Sequence, residues 1–468
     1  MASAAAAEQK PRINLPLLVA VLLIPAVLGS SQTIFNDGDV SWHIATGEWI
    51  LDHRAIPHTD PFSFTWFGKP WVPIEWLAEL LYASAYRLAG YGGVAALVTA
   101  ALMALHAIVF ASGSRRGRPW VMLGALLLMD IVLIPMMLAR PHLLAWPLLA
   151  LWTWLMMSAR EADRAPPLVA ALLMAIWANL HGSFVFGLAI AGAFGLEALV
   201  ASPDKPRALR QWLLFGLACV IACFINGNGV EGALHPLRFT QLHMLPLIDE
   251  WKPSSITKTP FFFAVLAIAV ALILWRRPRL SWVRWLLLAA LLGLALLQVR
   301  HQAMLAIVAA MVLPQGLGRA ERVDAADRRS GWLAVGGAAL LIGLRAIMPL
   351  EPPDNEANPW KLIAAVPTEL RSQHVFNGYS MGGPLILAGI RPYVDGRGDM
   401  YGDELVVGYA RIAHGDGNAF AEAVRRWDIR WAMLPVESKL VPVIARSPEW
   451  RLVARDKVGV IYERVSAS

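Results

Sequence analysis

Charged residues are scarce in this sequence. Of its 468 residues 16% are Asp, Glu, Lys or Arg, whereas 57% are hydrophobic. So few charges do not supply the polar surface of a soluble protein of this length, which argues against a soluble globular fold. Cysteine is scarcer still: Cys219 and Cys223, the only two, lie four residues apart in one apolar run. The two cysteines are predicted to pack in the core and to form no disulfide or metal site. The low charge and high hydrophobic content predict an integral membrane protein.

A continuous basic stripe is also absent. The net charge is +7, but Lys and Arg lie in short clusters between apolar runs, which argues against nucleic-acid binding. If the N-terminus, with Lys10 and Arg12, lies inside the cell, every cluster falls on the cytoplasmic side, as the positive-inside rule expects. The clusters are Arg115, Arg116 and Arg118; Arg160 and Arg164; Lys205, Arg207 and Arg210; Arg276, Arg277 and Arg279; and Arg319, Arg322, Arg328 and Arg329.

Apolar runs long enough to cross a bilayer recur along the chain, about eleven in number. They lie near 14–34, 91–112, 119–139, 143–159, 166–180, 183–200, 211–226, 260–275, 280–298, 302–318 and 331–349. The first run ends in "LGSSQ", which also suits signal-peptide cleavage, but its length favours a retained span. Segment 73–90 carries Glu75, Glu79 and Arg87 and is predicted to be an interfacial helix, because an extra span here would move the later basic clusters outside. Tryptophans near run ends predict an aromatic belt: Trp120, Trp177, Trp212, Trp275 and Trp332.

The composition changes after Pro349. Segments "HVFNGYSMGG", "IRPYVDGRGDMYG", "DIRWAMLPV", "WRLVARD" and "VGVIYERV" are predicted to be short strands, with helices near 403–413, 418–427 and 437–446. The predicted fold class is therefore mainly α. A polytopic transmembrane helical bundle spans 1–349, with an outward loop at 36–72, and a soluble α/β domain follows at 350–468 on the outer side.

Acidic residues open the first outward loop. Asp37 and Asp39 form a D-x-D pair, which can present two carboxylates to one hard cation such as Mg²⁺ or Mn²⁺, or hold one as a base beside the other. A solvated turn at Asp37 and Gly38 is the alternative. If 42–51 is helical, His43 faces back toward Asp39. We therefore take Asp37, Asp39 and His43 as candidate catalytic residues, and the two aspartates as candidate metal ligands.

Histidine and arginine recur at the outward ends of the later spans. Ionisable groups at membrane depth cost free energy unless they find partners or line a cavity, so this recurrence predicts one shared polar cavity. Arg140 and Arg300 are candidates for phosphate binding, since a guanidinium group matches phosphate oxygens bidentately. The candidate substrate-binding residues are Arg140, His142, His181, Glu250, Arg300 and His301. Glu250 lies beside Trp251, where a sugar could stack, and His235 belongs to the same outward set.

Two carboxylates lie inside predicted spans. Asp130 and Glu197 are each open to a functional or a packing interpretation, and we favour hydrogen bonding between helices.

Several stretches resemble the GT-C membrane glycosyltransferases, which include oligosaccharyltransferase catalytic subunits, protein O-mannosyltransferases and the lipid A aminoarabinose transferase. More closely, they resemble a large group of bacterial polytopic membrane proteins placed in that superfamily. The stretches are "DGDVSWHIATGEWI", "IPHTDPFSFTWFGKPWVPIEWLAE", "ARPH", "WANLHGSF", "EWKPSS" and "VFNGYSMGGPLI…YVDGRGDMYG".

The resemblance implies a polyprenyl-phosphate sugar as donor and a glycan, lipid or protein as acceptor, at the outer face of the bacterial cytoplasmic membrane. It implies that an outward-loop aspartate acts as base or metal ligand, and by position Asp39 matches best and Asp37 second. The Asp-Glu pair of the mannosyl and aminoarabinosyl enzymes is absent. In "VDGR", Asp395 and Arg397 resemble the group's C-terminal signature, and they are interpreted either as a structural pair or as an acceptor-docking site.

Three other functions fit parts of the pattern. A transporter or flippase would use the outward histidines and arginines to line a path, but it predicts matching halves, which the sequence does not display. A non-catalytic component of a polysaccharide assembly system would not need the D-x-D loop. A metal-independent polymerase or ligase would rely on Arg and His alone.

Overall fold

The chain is described here by a computed structural model over residues 13–114, 118–318 and 328–465. The first part consists of helices joined by loops. Its helices are α1 Leu15–Gly29, with a π-helical turn at Val19–Leu23, α2 Asp39–His53, α3 Trp76–Ser114, α4 Pro119–Leu133, α5 Pro141–Glu161, α6 Leu172–Leu180, α7 Phe184–Ala201, α8 Lys205–Cys223, α9 Gly229–Phe239, α10 Pro260–Arg276, α11 Trp282–Leu297, α12 Gln302–Gln315 and α13 Arg328–Ile347. Short 3-10 helices lie at Gln32–Phe35, Ile134–Met136, Leu168–Ala171, Leu245–Leu247, Asp249–Trp251 and Val299–His301.

A helix lies in each predicted apolar run. Within the described ranges, six helices are long and apolar enough to cross a membrane: α3, α5, α7, α8, α13, and α4 together with the turn that follows it. Four shorter apolar helices accompany them: α1, the helical stretch Leu168–Leu180, α10 and α11. Lys10, Arg12, Arg115, Arg116, Arg319 and Arg322, which carry part of the orientation argument, lie outside the described residues.

Helix α3 is broken near its first third. Ala89 and Gly90 leave helical geometry, with Gly90 at φ +57° and ψ −146°. The part before the break carries Glu79 and Arg87, and Arg87 pairs with Glu48 of α2 at 2.6 Å. The chain thus changes direction where the sequence predicts the interfacial segment to end and the next span to begin.

The aromatic-belt prediction is wrong for two tryptophans. Trp120, Trp275 and Trp332 are exposed on the bundle surface, but Trp177 and Trp212 are buried in the core. Trp177 donates to the hydroxyl of Ser183 at 2.9 Å. An indole near a helix end can pack inward when a partner for its N–H lies there, and sequence position alone does not reveal that.

The two intramembrane carboxylates have helix-packing partners. Asp130 of α4 lies 3.0 Å from Nε2 of His106 in α3, and Glu197 of α7 lies 3.0 Å from Nε of Arg284 in α11. Each pair links two neighbouring helices, as the packing interpretation expects.

A small four-stranded sheet lies near the C-terminus in the order β1-β2-β4-β3. Its strands are β1 Val375–Asn377, β2 Trp431–Pro435, β3 Trp450–Arg455 and β4 Gly459–Arg464; β1 and β2 run parallel and the other pairs antiparallel. Its helices are α14 Trp360–Ala364, α15 Thr368–Arg371, α16 Gly382–Leu387, α17 Gly398–Ala413, α18 Gly417–Trp427 and α19 Val441–Ala445, with a 3-10 turn at Tyr379–Met381.

The strand predicted within "IRPYVDGRGDMYG" is wrong. Residues 390–397 form a loop and α17 begins at Gly398, because the polar groups of the loop bond to side chains and not to a strand. Arg397 is buried and donates to Asp395 and to Asp60 of the loop 36–72. Asn377 donates to the carbonyl of Val394 at 2.8 Å.

The predicted outward junctions meet at one end of the bundle. Asn179 accepts hydrogen bonds from Trp76 at 2.7 Å and from Gly227 at 3.0 Å, and the backbone of Val299 donates to Lys252 at 3.1 Å. The C-terminal region packs on the same end, where Thr65 donates to the carbonyl of Tyr393 at 2.7 Å. Distant parts of the chain therefore form one surface there.

Candidate active site

The first carboxylates of the site are placed by the start of α2. Gly38 occupies the N-cap position, and Oδ1 of Asp37 accepts the backbone N–H of Asp39 at 2.8 Å. This local bond satisfies a free amide at the helix start and leaves Oδ2 of Asp37 facing the bundle. Asp39 begins the helix itself, so both carboxylates lie at its positive end, where negative charge is favoured.

Arg140 lies opposite the two aspartates at the start of α5. Its Nη1 is 3.2 Å from Oδ2 of Asp37, and its Nη2 is 3.0 Å from Oδ2 of Asp39. The hydroxyl of Tyr82 donates to the carbonyl of Arg140 at 2.9 Å, which fixes the backbone that carries the guanidinium group. The structure thus brings Asp37, Asp39 and Arg140 together as one ion cluster.

Glu250 extends the cluster to Arg300. Its Oε2 is 3.5 Å from Nη1 of Arg140, and its Oε1 is 3.7 Å from Nη1 of Arg300. The Arg300 guanidinium lies over the ring of Trp251, 4.3 Å from the ring centre. A single carboxylate therefore lies between two guanidinium groups, an arrangement that a phosphate could also adopt.

Burial and charge oppose each other in this cluster. Burial and the neighbouring Asp37 raise the pKa of Asp39 to about 7, although Arg140 acts in the other direction. Burial also acts to raise the pKa of Glu250, but Arg140 and Arg300 outweigh it and the net shift is downward. At neutral pH Glu250 is therefore ionised, while Asp39 is divided between its two protonation states.

The predicted histidines form a second group beside the ions. Nε2 of His181 lies 3.4 Å from Glu75, and its Nδ1 accepts the backbone N–H of Ser183 at 3.1 Å, which leaves the ring proton of the neutral form on Nε2. Burial lowers the pKa of His181 and raises that of Glu75 to about 8. Nε2 of His142 donates to the Met136 carbonyl at 2.9 Å, and its ring centre lies 6.2 Å from that of His181.

Comparison with known proteins shows the fold through structure alone. No protein-family model and no curated protein sequence matches the chain. Among solved structures, the chain is similar to ArnT of Cupriavidus metallidurans bound to undecaprenyl phosphate, with a TM-score of 0.54, 12% identity, and coverage of 96% of this chain and 98% of that one. It is also similar to an Archaeoglobus fulgidus oligosaccharyltransferase in the apo form, with a TM-score of 0.52, 11% identity, and coverage of 90% and 69%.

The chain shares its fold with these two GT-C glycosyltransferases. The structure therefore agrees with the resemblance that the sequence motifs carry, at the level of fold.

Two predicted histidines make their direct contacts with groups outside the ion cluster. His43 does not face Asp39: its Nδ1 lies 3.6 Å from Glu79 of α3, and both side chains are buried. Burial lowers the pKa of His43, so the ring is neutral. The ring of His301 packs against Phe186, with ring centres 5.2 Å apart. Helix rotation explains the first difference, because the side of α2 that carries His43 is covered by α3.

Sequence reasoning did not pair His235 of α9 with Asp399 of the C-terminal region. His235 Nε2 lies 3.1 Å from Oδ2 of Asp399. Burial acts to lower the pKa of His235, but the hydrogen bond and charge of Asp399 outweigh it and raise that pKa. His235 belongs to the predicted outward set, but its pairing with a residue so distant in sequence leaves no local signal.

The predicted metal ligands do not form a metal site within this GT-C fold. Asp37 and Asp39 direct their Oδ2 atoms at Arg140. Among the described residues, no group of three or more His, Cys, Asp or Glu side chains lies together as a metal-ligand set. A hard divalent cation needs several oxygen ligands, and here a guanidinium group occupies the position between the two carboxylates.

Proposed function

We propose that this protein is a membrane glycosyltransferase. It moves a sugar from a polyprenyl-phosphate donor to a hydroxyl group of a glycan, lipid or protein, at the outer face of the bacterial cytoplasmic membrane. The observation that carries the proposal is the 3.0 Å approach of Asp39 to Arg140 in a GT-C fold, with Arg300 reached through Glu250. The undecaprenyl phosphate bound to ArnT in the similar structure supports the class of donor.

Asp39 acts as the general base in this proposal. An acceptor hydroxyl is a weak nucleophile, and a carboxylate within hydrogen-bond distance assists it by taking its proton as the oxygen bonds to the anomeric carbon. The pKa of Asp39, raised to about 7, suits a base that works near neutral pH.

The two arginines bind the phosphate that leaves. As the new bond forms, the bond between the anomeric carbon and the phosphate oxygen breaks, and its electron pair stays on the phosphate. Nη2 of Arg140 faces Asp39, and its Nη1 faces Glu250. In the proposal the donor phosphate takes the place of the Glu250 carboxylate, so one guanidinium group lies beside both the base and the phosphate. Charge stabilisation, and not protonation, is what this leaving group needs. Attack from the base side with departure on the other side predicts inversion at the anomeric carbon.

The test uses the full chain in lipid nanodiscs with a panel of polyprenyl-phosphate sugars, and measures the polyprenyl phosphate released. Asp39→Asn should lower turnover by about 100-fold or more, because general-base catalysis contributes that much. Asp52→Asn is the matched control, since Asp52 lies at the other end of α2 and is 62% exposed in an ion pair with Arg87. Full turnover in Asp39→Asn would refute the base assignment.

The same preparation separates the transferase from a flippase. Consumption of no donor by the wild-type protein, together with movement of intact donor across the bilayer of sealed vesicles, would favour transport. Loss of donor with equal release of polyprenyl phosphate would favour transfer.

A further inference from the structure

The backbone at Gly396 lies directly against the Asp39 carboxylate. A Cβ atom built on Gly396 would overlap Oδ1 of Asp39 and would lie 2.9 Å from Nε1 of Trp42. Gly396 is not among the residues with positive φ, so the position needs glycine for space and not for its backbone angles. The segment Asp395–Arg397 of the C-terminal region therefore forms the wall beside the proposed base.

A buried ion network holds this wall in place. Arg397 donates to Asp395 from Nε at 2.8 Å and from Nη2 at 2.7 Å, and to Asp60 from Nη1 at 2.7 Å. Tyr401 donates to Asp395 at 2.6 Å. All four side chains are at most 1% exposed. Breaking one member would leave an uncompensated buried charge, so the network resists movement of the backbone on either side of Gly396.

The backbone just before Asp39 is held from the same side. Gly38 packs against the carbonyl of Ser380, and Gly383 packs against the carbonyl of Gly38 itself. Asn358 also donates to the carbonyl of Phe35 at 2.6 Å. The C-terminal region therefore contacts both the main chain that leads into Asp39 and its side chain.

We propose that Gly396 is a positioning residue for Asp39. The closely packed wall at Asp395–Arg397 keeps the carboxylate turned toward Arg140, at the 3.0 Å separation of the two groups. This inference rests on the proposed function, because it assigns the C-terminal region a part in the transfer reaction. A methyl group at this point must displace Asp39 or open the wall.

The first test compares Gly396→Ala with Gly408→Ala. Gly408 lies in α17 with no atom within 4 Å of a built Cβ, so its variant should behave as wild type. Gly396→Ala should lower turnover on the order of 100-fold, as expected for a misplacement of about 1 Å. The binding of polyprenyl phosphate should change less than about threefold, because the arginines stay in place. The pH at half-maximal turnover should also move, which a purely structural fault would not cause. Wild-type turnover with an unchanged pH profile in Gly396→Ala would overturn the proposal.

A second test needs no turnover. If the methyl group meets the Asp39 carboxylate, removal of that carboxylate should relieve the strain. The thermal melting point should then fall in Gly396→Ala, but should match that of Asp39→Ala in the double variant Asp39→Ala/Gly396→Ala. Additive losses of melting temperature would overturn the contact on which the proposal depends. If the wild-type protein consumes no donor but this coupling is present, the proposed function fails and the contact stands.

Discussion

At the scale of single residues, the pKa of Asp39 is set by opposing effects of burial and of neighbouring charges. Burial and Asp37 raise its pKa, while Arg140, 3.0 Å away, lowers it, and the balance is a pKa of about 7. In the proposed reaction Asp39 must be deprotonated to accept a proton, so this balance would set the fraction of the protein that is active.

Turnover should therefore rise with pH through about 7 and level off above it, because the raised pKa keeps Asp39 protonated below that pH. The measurement is the rate of polyprenyl phosphate release between pH 5 and pH 9 at donor concentrations well below KM, where the profile reports the free protein. The range covers about two units on either side of the expected midpoint. Asp52→Asn should keep the same profile. A profile that is flat across pH 7 would contradict the assignment of Asp39 as the titrating base.

At the scale of elements, the loop between α9 and α10 brings an anion to the two arginines. Glu250 lies between Arg140 and Arg300 at 3.5 Å and 3.7 Å, in the position that the proposal gives to the donor phosphate. The carboxylate therefore competes with the phosphate in the free protein.

Glu250→Gln should increase the affinity for polyprenyl phosphate by about two- to fivefold, which corresponds to the worth of a partly exposed ion pair. Binding would be measured by titration of the nanodisc-embedded protein with polyprenyl phosphate. Asp249→Asn is the matched control, because Asp249 is highly exposed and pairs with Lys252. Weaker binding in Glu250→Gln would contradict the competition.

The break in α3 depends on the backbone angles of Gly90. Gly90 has φ +57° and ψ −146°, a conformation that residues with a side chain rarely adopt. Gly90→Ala should lower the free energy of unfolding by about 1–3 kcal/mol. Gly124→Ala, in the middle of α4 with open space around it, should be neutral or stabilising. Thermal melting in detergent compares them, and equal melting points for both variants would mean that the break is not strained.

Several elements were predictable because their signal is local. Apolar runs indicate helices through their length, and Gly and Pro mark the loops between them. The segment "IRPYVDGRGDMYG" was predicted as a strand, and that was wrong because the buried pairing of Arg397 with Asp60 involves a residue 337 positions away. The partner of His43 was missed for a similar reason, since the rotation of α2 against α3 is decided by packing.

At the scale of the whole molecule, the site exists only because distant junctions meet. Asp37, Arg140, Glu250 and Arg300 come from separate loops and helix ends. Their convergence was predictable, because all four lie in junctions that do not hold the basic clusters. By the positive-inside rule such junctions should share the outer side of the membrane. The distances were not predictable, because they depend on how the helices pack.

The proposed function implies one orientation of the chain in the membrane. The C-terminal region packs on the end of the bundle that holds the site, and the proposed function requires that end to lie outside. The native cysteines are buried, so they should remain unlabelled. A membrane-impermeant thiol reagent added to intact spheroplasts should label Arg455→Cys, because Arg455 is exposed in β3. It should not label Lys205→Cys at the start of α8 unless the membrane is first permeabilised. The reverse pattern would place the ion cluster on the cytoplasmic face, out of reach of a donor and acceptor on the outer face.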